Sequence, residues 1–308
     1  MGGSGSNDTW DSPGDIFKKI QNSNDGADKA VYDSEVSNFI AGSLGNFNNR
    51  DKEAIQNRIK NIKDALGRDI DGVISTRFGG SISKNTHIDG LSDIDTLVIL
   101  NDSSLSDKSP AEVLDYFYKK LKQKYPDRSI VQGDTSVTIN FPEGDIQLLP
   151  TLKYKSGIKI SDSGKWSSII APSVFARKLT IVNQNNEGKL IPGIKLIKSI
   201  IGNFPESSRL KGYHIESLAV QIFSKYQQQP VNNVKDVVVR FFKEAPTLVK
   251  NPIKDTTGQT LYVDEYLGNK NNLNRMIASD SLERVSRRIE IAESGNQKEI
   301  WDNLVNGT

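Results

Sequence analysis

Phe78-Gly79-Gly80-Ser81, eleven intervening residues, Asp93-Ile94-Asp95 and, past Thr96, the apolar run Leu97-Val98-Ile99-Leu100 form the stretch that decides the fold. It reads as a phosphate-binding turn feeding a strand that carries two carboxylates. Side chains at i and i+2 of a strand share a face, so Asp93 and Asp95 project together while Ile94 points the other way. Two carboxylates on one face attract a hard divalent cation. Magnesium favours one or two carboxylates plus phosphate oxygens, and a Gly-Gly-Ser turn offers unhindered backbone N–H groups to those phosphates. The chain has no Asp-rich loop of the EF-hand kind closed by a Glu, and no Gly-x-x-x-x-Gly-Lys-Ser/Thr phosphate loop. The pairing of turn and strand points to nucleotide chemistry.

Composition narrows the class. At 308 residues the chain can bury a sizeable core and divide into two lobes. Its 36% hydrophobic and 25% charged residues exclude a disordered chain. Forty basic against 38 acidic residues leave a net charge of +2, so no strong nucleic-acid footprint is expected. The absence of cysteine removes disulfides, thiolate zinc ligands and cysteine nucleophiles together. With His87 and His214 as the two histidines, a structural zinc site is not expected either. No apolar run reaches the length of about eighteen residues that suggests a membrane span. The start Met1-Gly2-Gly3-Ser4-Gly5-Ser6 lacks the regions of a signal peptide. A soluble, cytoplasmic protein with no membrane partner is the expectation. The same start formally matches a myristoylation signal, but its Gly/Ser run reads better as a flexible tail.

Periodicity gives the organisation. Residues 1–28 are rich in Gly, Ser, Asn and Asp and read as a flexible arm, with ordered structure expected from about Val31. Residues 47–66 read as one amphipathic spine helix, with Ala54, Ile55, Ile59, Ile62 and Leu66 at three- and four-residue intervals and Gly67 placed to stop it. A strand over 73–78, a helix over 111–125 and a hairpin over 129–149 follow. The hairpin's second arm is Asp145-Ile146-Gln147-Leu148-Leu149, with Pro150 expected to end it. Beyond Trp166 helices dominate, at 192–203, 212–226, 233–243 and 282–304. The predicted class is α+β. A mixed sheet with helices occupies residues 29–160, a helical lobe occupies 161–308, and the active site lies in the cleft between them.

Gly80-Ser81 followed by Asp93-Ile94-Asp95 resembles the signature of the polymerase-β-like nucleotidyltransferases. The resemblance implies that Asp93 and Asp95 hold two Mg²⁺ ions, with Mn²⁺ able to substitute, and that Gly80 and Ser81 meet the donor phosphates. It further implies a third metal-binding carboxylate on a neighbouring strand. Asp145 is the candidate, with Glu143 and Asp134 as local competitors and an exposed hairpin turn as the plain alternative.

Within that superfamily the chain is similar to the cyclic GMP-AMP synthase and DncV-like (CD-NTase) branch over about residues 47–308. The similarity rests on residues 145–150, on Trp166 and Pro172, on Ile194-Lys195-Leu196-Ile197-Lys198 and on Gly212-Tyr213-His214-Ile215-Glu216. It implies that Lys198 contacts the donor triphosphate, although Lys195 three residues earlier remains open from helical spacing alone. It implies that Tyr213 stacks on a nucleobase, against the alternative that Tyr213 is simply core. Gly212 stands where the branch often has a phosphate-contacting serine. Glu216 and Trp166 read as structural.

Lacking cysteine and a basic excess, the chain departs from the animal members that grip DNA through a zinc insertion and resembles the bacterial ones. That implies a cyclic di- or trinucleotide synthase that joins nucleoside triphosphates with release of pyrophosphate in anti-phage signalling. Its partners would be a separate effector protein that senses the product and, as in some members, an activating partner. Two rivals stand beside it. One is a linear nucleotidyltransferase acting on RNA, protein or a small molecule; the other is an inert nucleotide-sensing or scaffold protein, against which the presence of all three aspartates argues.

Overall fold

The computed structural model describes residues 13–47, 49, 51–162, 164–226 and 231–307. Its first lobe is organised on strand β2 (Ile94–Ser103), to which β1 (Gly72–Phe78) is antiparallel and β5 (Gly144–Tyr154) parallel. β4 (Val137–Phe141) and β3 (Ile130–Gln132) continue the sheet, giving the order β1-β2-β5-β4-β3. β6 (Gly157–Asp162) pairs with the far half of β5, and β7 (Lys165–Trp166) with β6. Period-two alternation sends Ile94, Thr96, Val98 and Leu100 into the buried face of β2 and leaves Asp95 on the other.

Two helices close the buried face. α2 (Lys52–Gly67) is capped by Asp51, whose carboxylate accepts the Ala54 N–H at 2.9 Å, and it buries Ile55, Ile59, Ile62 and Leu66 on one stripe. α3 (Pro110–Lys124) opens with Pro110 and a reciprocal Ser109–Glu112 capping box and buries Val113, Leu114, Phe117 and Leu121. The spine helix therefore starts at Lys52 rather than 47, because Asp51 supplies the cap. Pro150 does not end β5, which runs on to Tyr154. It falls after β4's last partner, Leu148, and before β6's first, Thr151, where its missing N–H deprives neither strand.

The second lobe is helical: α4 (Pro172–Asn185), α5 (Leu190–Gly202), α6 (Gly212–Phe223), α7 (Val234–Leu248), α8 (Leu273–Gly295) and α9 (Lys298–Asn306). α5 is its axis, with Leu190, Ile194, Leu196, Ile197, Ile200 and Ile201 all buried. It approaches α7 so closely that a Cβ on Gly193 would lie 2.3 Å from Val237 Cγ1, so glycine is required there. The single C-terminal helix expected over 282–304 is two helices, because Asn296 takes the left-handed conformation after Gly295 and caps α8 onto Ala292.

The expected arm over 1–28 needs correction from residue 13 onward; residues 1–12 lie outside the described residues. α1 spans Pro13–Asn46, with Pro13 at its first turn, where proline's fixed φ suits a helix start. Its C-terminal half docks on the helical lobe: Tyr32 donates to Glu293 at 2.7 Å, Trp301 Nε1–H donates to Tyr32, and Lys235 pairs with Asp33 and Glu293. Tyr32, Val36 and Ile40 thus belong to the helical core, not to the sheet lobe. The apolar core of the sheet lobe is separate from that of the helical lobe, and Lys84 and Thr86 of the first meet Lys198 and Glu216 of the second. The class is α+β, as the sequence predicted.

Candidate active site

The site begins where β1 ends. Gly79 N–H donates to the Asp95 carbonyl at 2.8 Å, and the chain turns at Gly80 with φ +48°. A Cβ on Gly80 would lie 1.6 Å from Asp95 Oδ2, so the Asp95 carboxylate rests against the bare glycine backbone and no other residue fits. Ser81 leads into a short 3-10 turn, Ile82–Lys84, closed by Asn85 in the left-handed conformation. Asp93 and Asp95 share one cavity of about 340 Å³ with Gly80 and Ser81. Its other wall comes from the helical lobe: Lys198 of α5, Arg209 and Leu210, then Gly212, Tyr213 and Glu216 of α6.

The acidic wall is made by strand register. Gln147 Nε2 donates to Asp93 Oδ2 at 2.5 Å, and the parallel pairing of Asp95 with Gln147 puts both strands' polar residues on one face. Burial, and then the negative charge of Asp93, push the Asp95 carboxyl above the usual range, a condition that a bound cation would relieve. Asp145, two residues before Gln147, shares that face, but its carboxylate accepts from Asn140 at 2.6 Å across the hairpin. Among the described residues no group of three His, Cys, Asp or Glu converges closely enough to hold a metal ion. The structure therefore brings Asp93, Asp95, Gly80, Ser81, Lys198 and Tyr213 to one cavity and places Asp145 beside it.

The basic wall is buried and internally bonded. Lys198 Nζ donates to Glu216 Oε1 at 2.7 Å and to the Thr86 carbonyl at 3.0 Å, while Lys84 Nζ lies 2.8 Å from Glu216 Oε2. Burial pulls the Lys198 ammonium below its ordinary range, against the opposing pull of Glu216. For Glu216 burial pushes upward, but Lys198 and Lys84 outweigh it and hold the carboxyl below the usual range. Lys195 lies instead within electrostatic reach of Asp89.

Tyr213 is half-buried. Its hydroxyl donates to Asp255 Oδ1 at 2.8 Å, its ring meets Phe175 edge-on at 4.8 Å, and burial raises the phenol well above its ordinary range. Trp166 packs against the sheet core and donates to the Lys108 carbonyl. Sequence reasoning missed Lys84, Thr86 and Arg209. For Lys84 a signal existed, since it lies three residues past Ser81 in the same turn; for Arg209, in the loop before α6, there was none.

Residues 33–183 match the model of the Second Messenger Oligonucleotide or Dinucleotide Synthetase domain. No curated protein is matched by the chain. Among solved structures it is similar to Escherichia coli MS115-1 CdnC in complex with HORMA-deltaN, at 16% identity and TM-score 0.66, covering 88% of this chain and 97% of that one. It is similar to Bradyrhizobium diazoefficiens CdnG in complex with GTP, at 11% identity and TM-score 0.65, covering 88% and 97%. It is also similar to the Vibrio cholerae DncV cyclic AMP-GMP synthase bound to the linear intermediate 5′ pppA(3′,5′)pG, at 13% identity and TM-score 0.61, covering 94% and 88%. At these identities the likeness is one of fold. No helix among the described residues is long and apolar enough to cross a membrane.

Proposed function

We propose, on the match of residues 33–183 to the Second Messenger Oligonucleotide or Dinucleotide Synthetase domain, that this chain is a nucleotidyltransferase that joins nucleoside triphosphates into a cyclic di- or trinucleotide. The observation that carries the reading is the single cavity in which the Asp93 and Asp95 carboxylates face Lys84, Lys198, Arg209 and Tyr213. An acceptor hydroxyl attacks the α-phosphorus of a donor triphosphate and releases its proton to solvent. The new P–O bond forms as the bond to the β-phosphate breaks and pyrophosphate leaves. The linear intermediate then presents its own hydroxyl to the same site and closes the ring.

Gly80 and Ser81 hold the donor phosphates at the turn, and Tyr213 offers its ring face to a base. Asp93 and Asp95 would hold two Mg²⁺ or Mn²⁺ ions, with Asp145 completing the set once it leaves Asn140. Bound there, such ions stabilise charge on the attacking and leaving oxygens. The fold likeness to a CdnC solved with HORMA-deltaN supports a protein partner as activator. The biological role we propose is bacterial anti-phage signalling from the cytoplasm, the product passing to a separate effector protein.

The test is direct. The purified protein is incubated with four labelled nucleoside triphosphates and Mg²⁺ or Mn²⁺, with and without RNA, treated with phosphatase and resolved by chromatography. A phosphatase-resistant nucleotide is expected. Label confined to added RNA or to the protein itself would overturn the cyclase reading in favour of linear transfer.

A further inference from the structure

The basic wall is built on one carboxylate that joins the two lobes. Glu216, 1% exposed, receives Lys198 on Oε1 and Lys84 on Oε2, and Thr86 Oγ1–H adds a bond to Oε1 at 2.5 Å. Lys84 and Thr86 belong to the turn after Ser81 in the sheet lobe, whereas Glu216 and Lys198 belong to α6 and α5.

The two lysines differ in what they have left to offer. An ammonium carries three protons. Those of Lys198 go to Glu216 at 2.7 Å, the Thr86 carbonyl at 3.0 Å and Thr86 Oγ1 at 3.3 Å, and its side chain is 9% exposed. Lys198 is thus fully engaged inside the wall. Lys84 makes one ion pair, to Glu216, and its ammonium sits 5.4 Å from the Tyr213 ring centroid and 5.6 Å from that of Phe175. It lines the same cavity as the aspartates, 13% exposed, and its ion pair uses one of its three protons. The flexible lysine stem is held by a carboxylate and two aromatic rings, so little further ordering is needed for Lys84 to meet an anion. It also rides on the same turn as Gly80 and Ser81, so a phosphate seated on that turn and the Lys84 charge are spaced by one local element.

We propose that Lys84 is the cation that meets the donor triphosphate, that Glu216 is the positioning residue that aims it, and that Lys198 acts through Glu216 by bracing it from the other side. The assignment rests on the synthase reading only in taking a triphosphate as the donor.

The probe is inorganic tripolyphosphate with Mg²⁺, titrated calorimetrically into the full chain, with ligand-free thermal midpoints measured beside it. Lys84→Met is expected to weaken binding about 10- to 100-fold, the loss typical of a charge-assisted contact, and to lower the midpoint less than Lys198→Met, because Lys84 gives up one ion pair where Lys198 gives up three bonds. Lys84→Gln keeps a donor for Glu216 but lacks the charge and should behave alike, while Lys84→Arg recovers most of the affinity. Lys198→Met should chiefly lower the midpoint, since Glu216 then keeps one buried cationic partner instead of two. Glu216→Gln should weaken tripolyphosphate in the wild-type background and add nothing in the Lys84→Met background, because it acts through Lys84.

Lys198→Met losing tripolyphosphate more than Lys84→Met at an unchanged midpoint would overturn the assignment. So would a Glu216→Gln loss of equal size in both backgrounds, or a wild-type chain that fails to bind the probe. Cyclic product from the wild-type enzyme is scored separately. Its absence, with the lysine ordering intact, sinks the synthase reading alone; a reversed ordering in an active cyclase sinks this one alone.

Discussion

The two walls of the cavity hold their charges by different means. The acidic wall is a strand edge: Asp93 and Asp95 stand two residues apart, the one exposed and the other packed on Gly80, with burial and like charge raising Asp95. The basic wall is a seam between lobes, where Lys84, Lys198 and Glu216 satisfy one another at 2.7–2.8 Å. On the acidic wall burial and the charge of Asp93 outweigh the pull of Lys84 and Lys198 on Asp95; the basic wall holds its counter-ion in direct contact. Ligand chemistry should therefore dominate mutations on the first wall and at Lys84, and folding energy those at Lys198.

The largest effect expected is on the acidic wall. Asp93→Asn with Asp95→Asn should remove cyclic product by at least about a thousandfold, since metal-borne charge stabilisation is worth several kcal/mol. The ligand-free protein should be no less stable, because two like charges held close repel each other. A double variant that retains turnover, or that melts well below the wild type, breaks the contrast between the walls.

That contrast also explains what was legible in the sequence. Asp93 and Asp95 could be placed because a strand's period of two is local and only eleven residues separate Gly80-Ser81 from them. The buried stripe Ile55, Ile59, Ile62 and Leu66 was legible for the same reason. The basic wall joins positions 84, 86, 198 and 216, and hydrogen bonds spanning 112 and 130 residues leave no periodic trace. Glu216 could be read as structural, but not as the hub of both lysines. The family resemblance supplied Lys198 and Tyr213, yet Asp145 bonded to Asn140 is a matter of rotamer that no motif encodes.

pH sharpens the comparison, because Asp95 on the acidic wall and the buried His214 behind the basic wall titrate with opposite sign. His214, next to Tyr213 on α6, is fully buried with Nδ1 2.9 Å from Tyr266 Oη and Nε2 3.5 Å from Asp264. Burial lowers its pKa to about 4, outweighing the upward pull of Asp264. A group whose folded pKa is depressed is neutral in the fold and must charge on unfolding in acid. Its stabilising contribution is complete above pH 6.5 and falls as pH drops toward 4, by on the order of 3 kcal/mol. Asp95, raised in the fold, contributes most at low pH and loses that contribution as pH rises through its folded pKa. Urea unfolding from pH 4 to 7 should show the stability difference between wild type and His214→Gln growing with pH, and that between wild type and Asp95→Asn shrinking. Parallel slopes would sink the distinction.

Tyr213 tests whether the basic wall's aromatic edge serves folding or ligand. Tyr213→Phe removes the hydroxyl's bond to Asp255 Oδ1, an atom that still accepts the Thr257 N–H and Oγ1–H. The expected cost is about 1.5–3 kcal/mol of stability, as for a hydrogen bond to a charged acceptor, with nucleotide affinity unchanged because the ring face remains. Affinity that falls while the thermal midpoint holds would mean that the hydroxyl, not the face, reads the ligand.

The smallest effect belongs to Gly212, the first residue of α6 and the position where the resembling enzymes often carry serine. A Cβ there would lie 3.5 Å from Lys198 Nζ and 3.6 Å from its Cε, which is ordinary van der Waals contact, so Gly212→Ser fits without displacing the lysine. Replacing a glycine at a compatible backbone position narrows the unfolded ensemble and should raise stability by about 0.4–1 kcal/mol. The hydroxyl would stand at the cavity lip beside Lys198. A neutral hydrogen bond to phosphate from that place is worth about 1 kcal/mol, so tripolyphosphate should bind up to about fivefold more tightly. The gain should persist in the Lys84→Met background, since the two groups reach the anion from different lobes. A tenfold loss of affinity instead would mean that the anion passes directly over Gly212, and that the basic wall meets its ligand through the bare α6 backbone rather than through the charge on the turn.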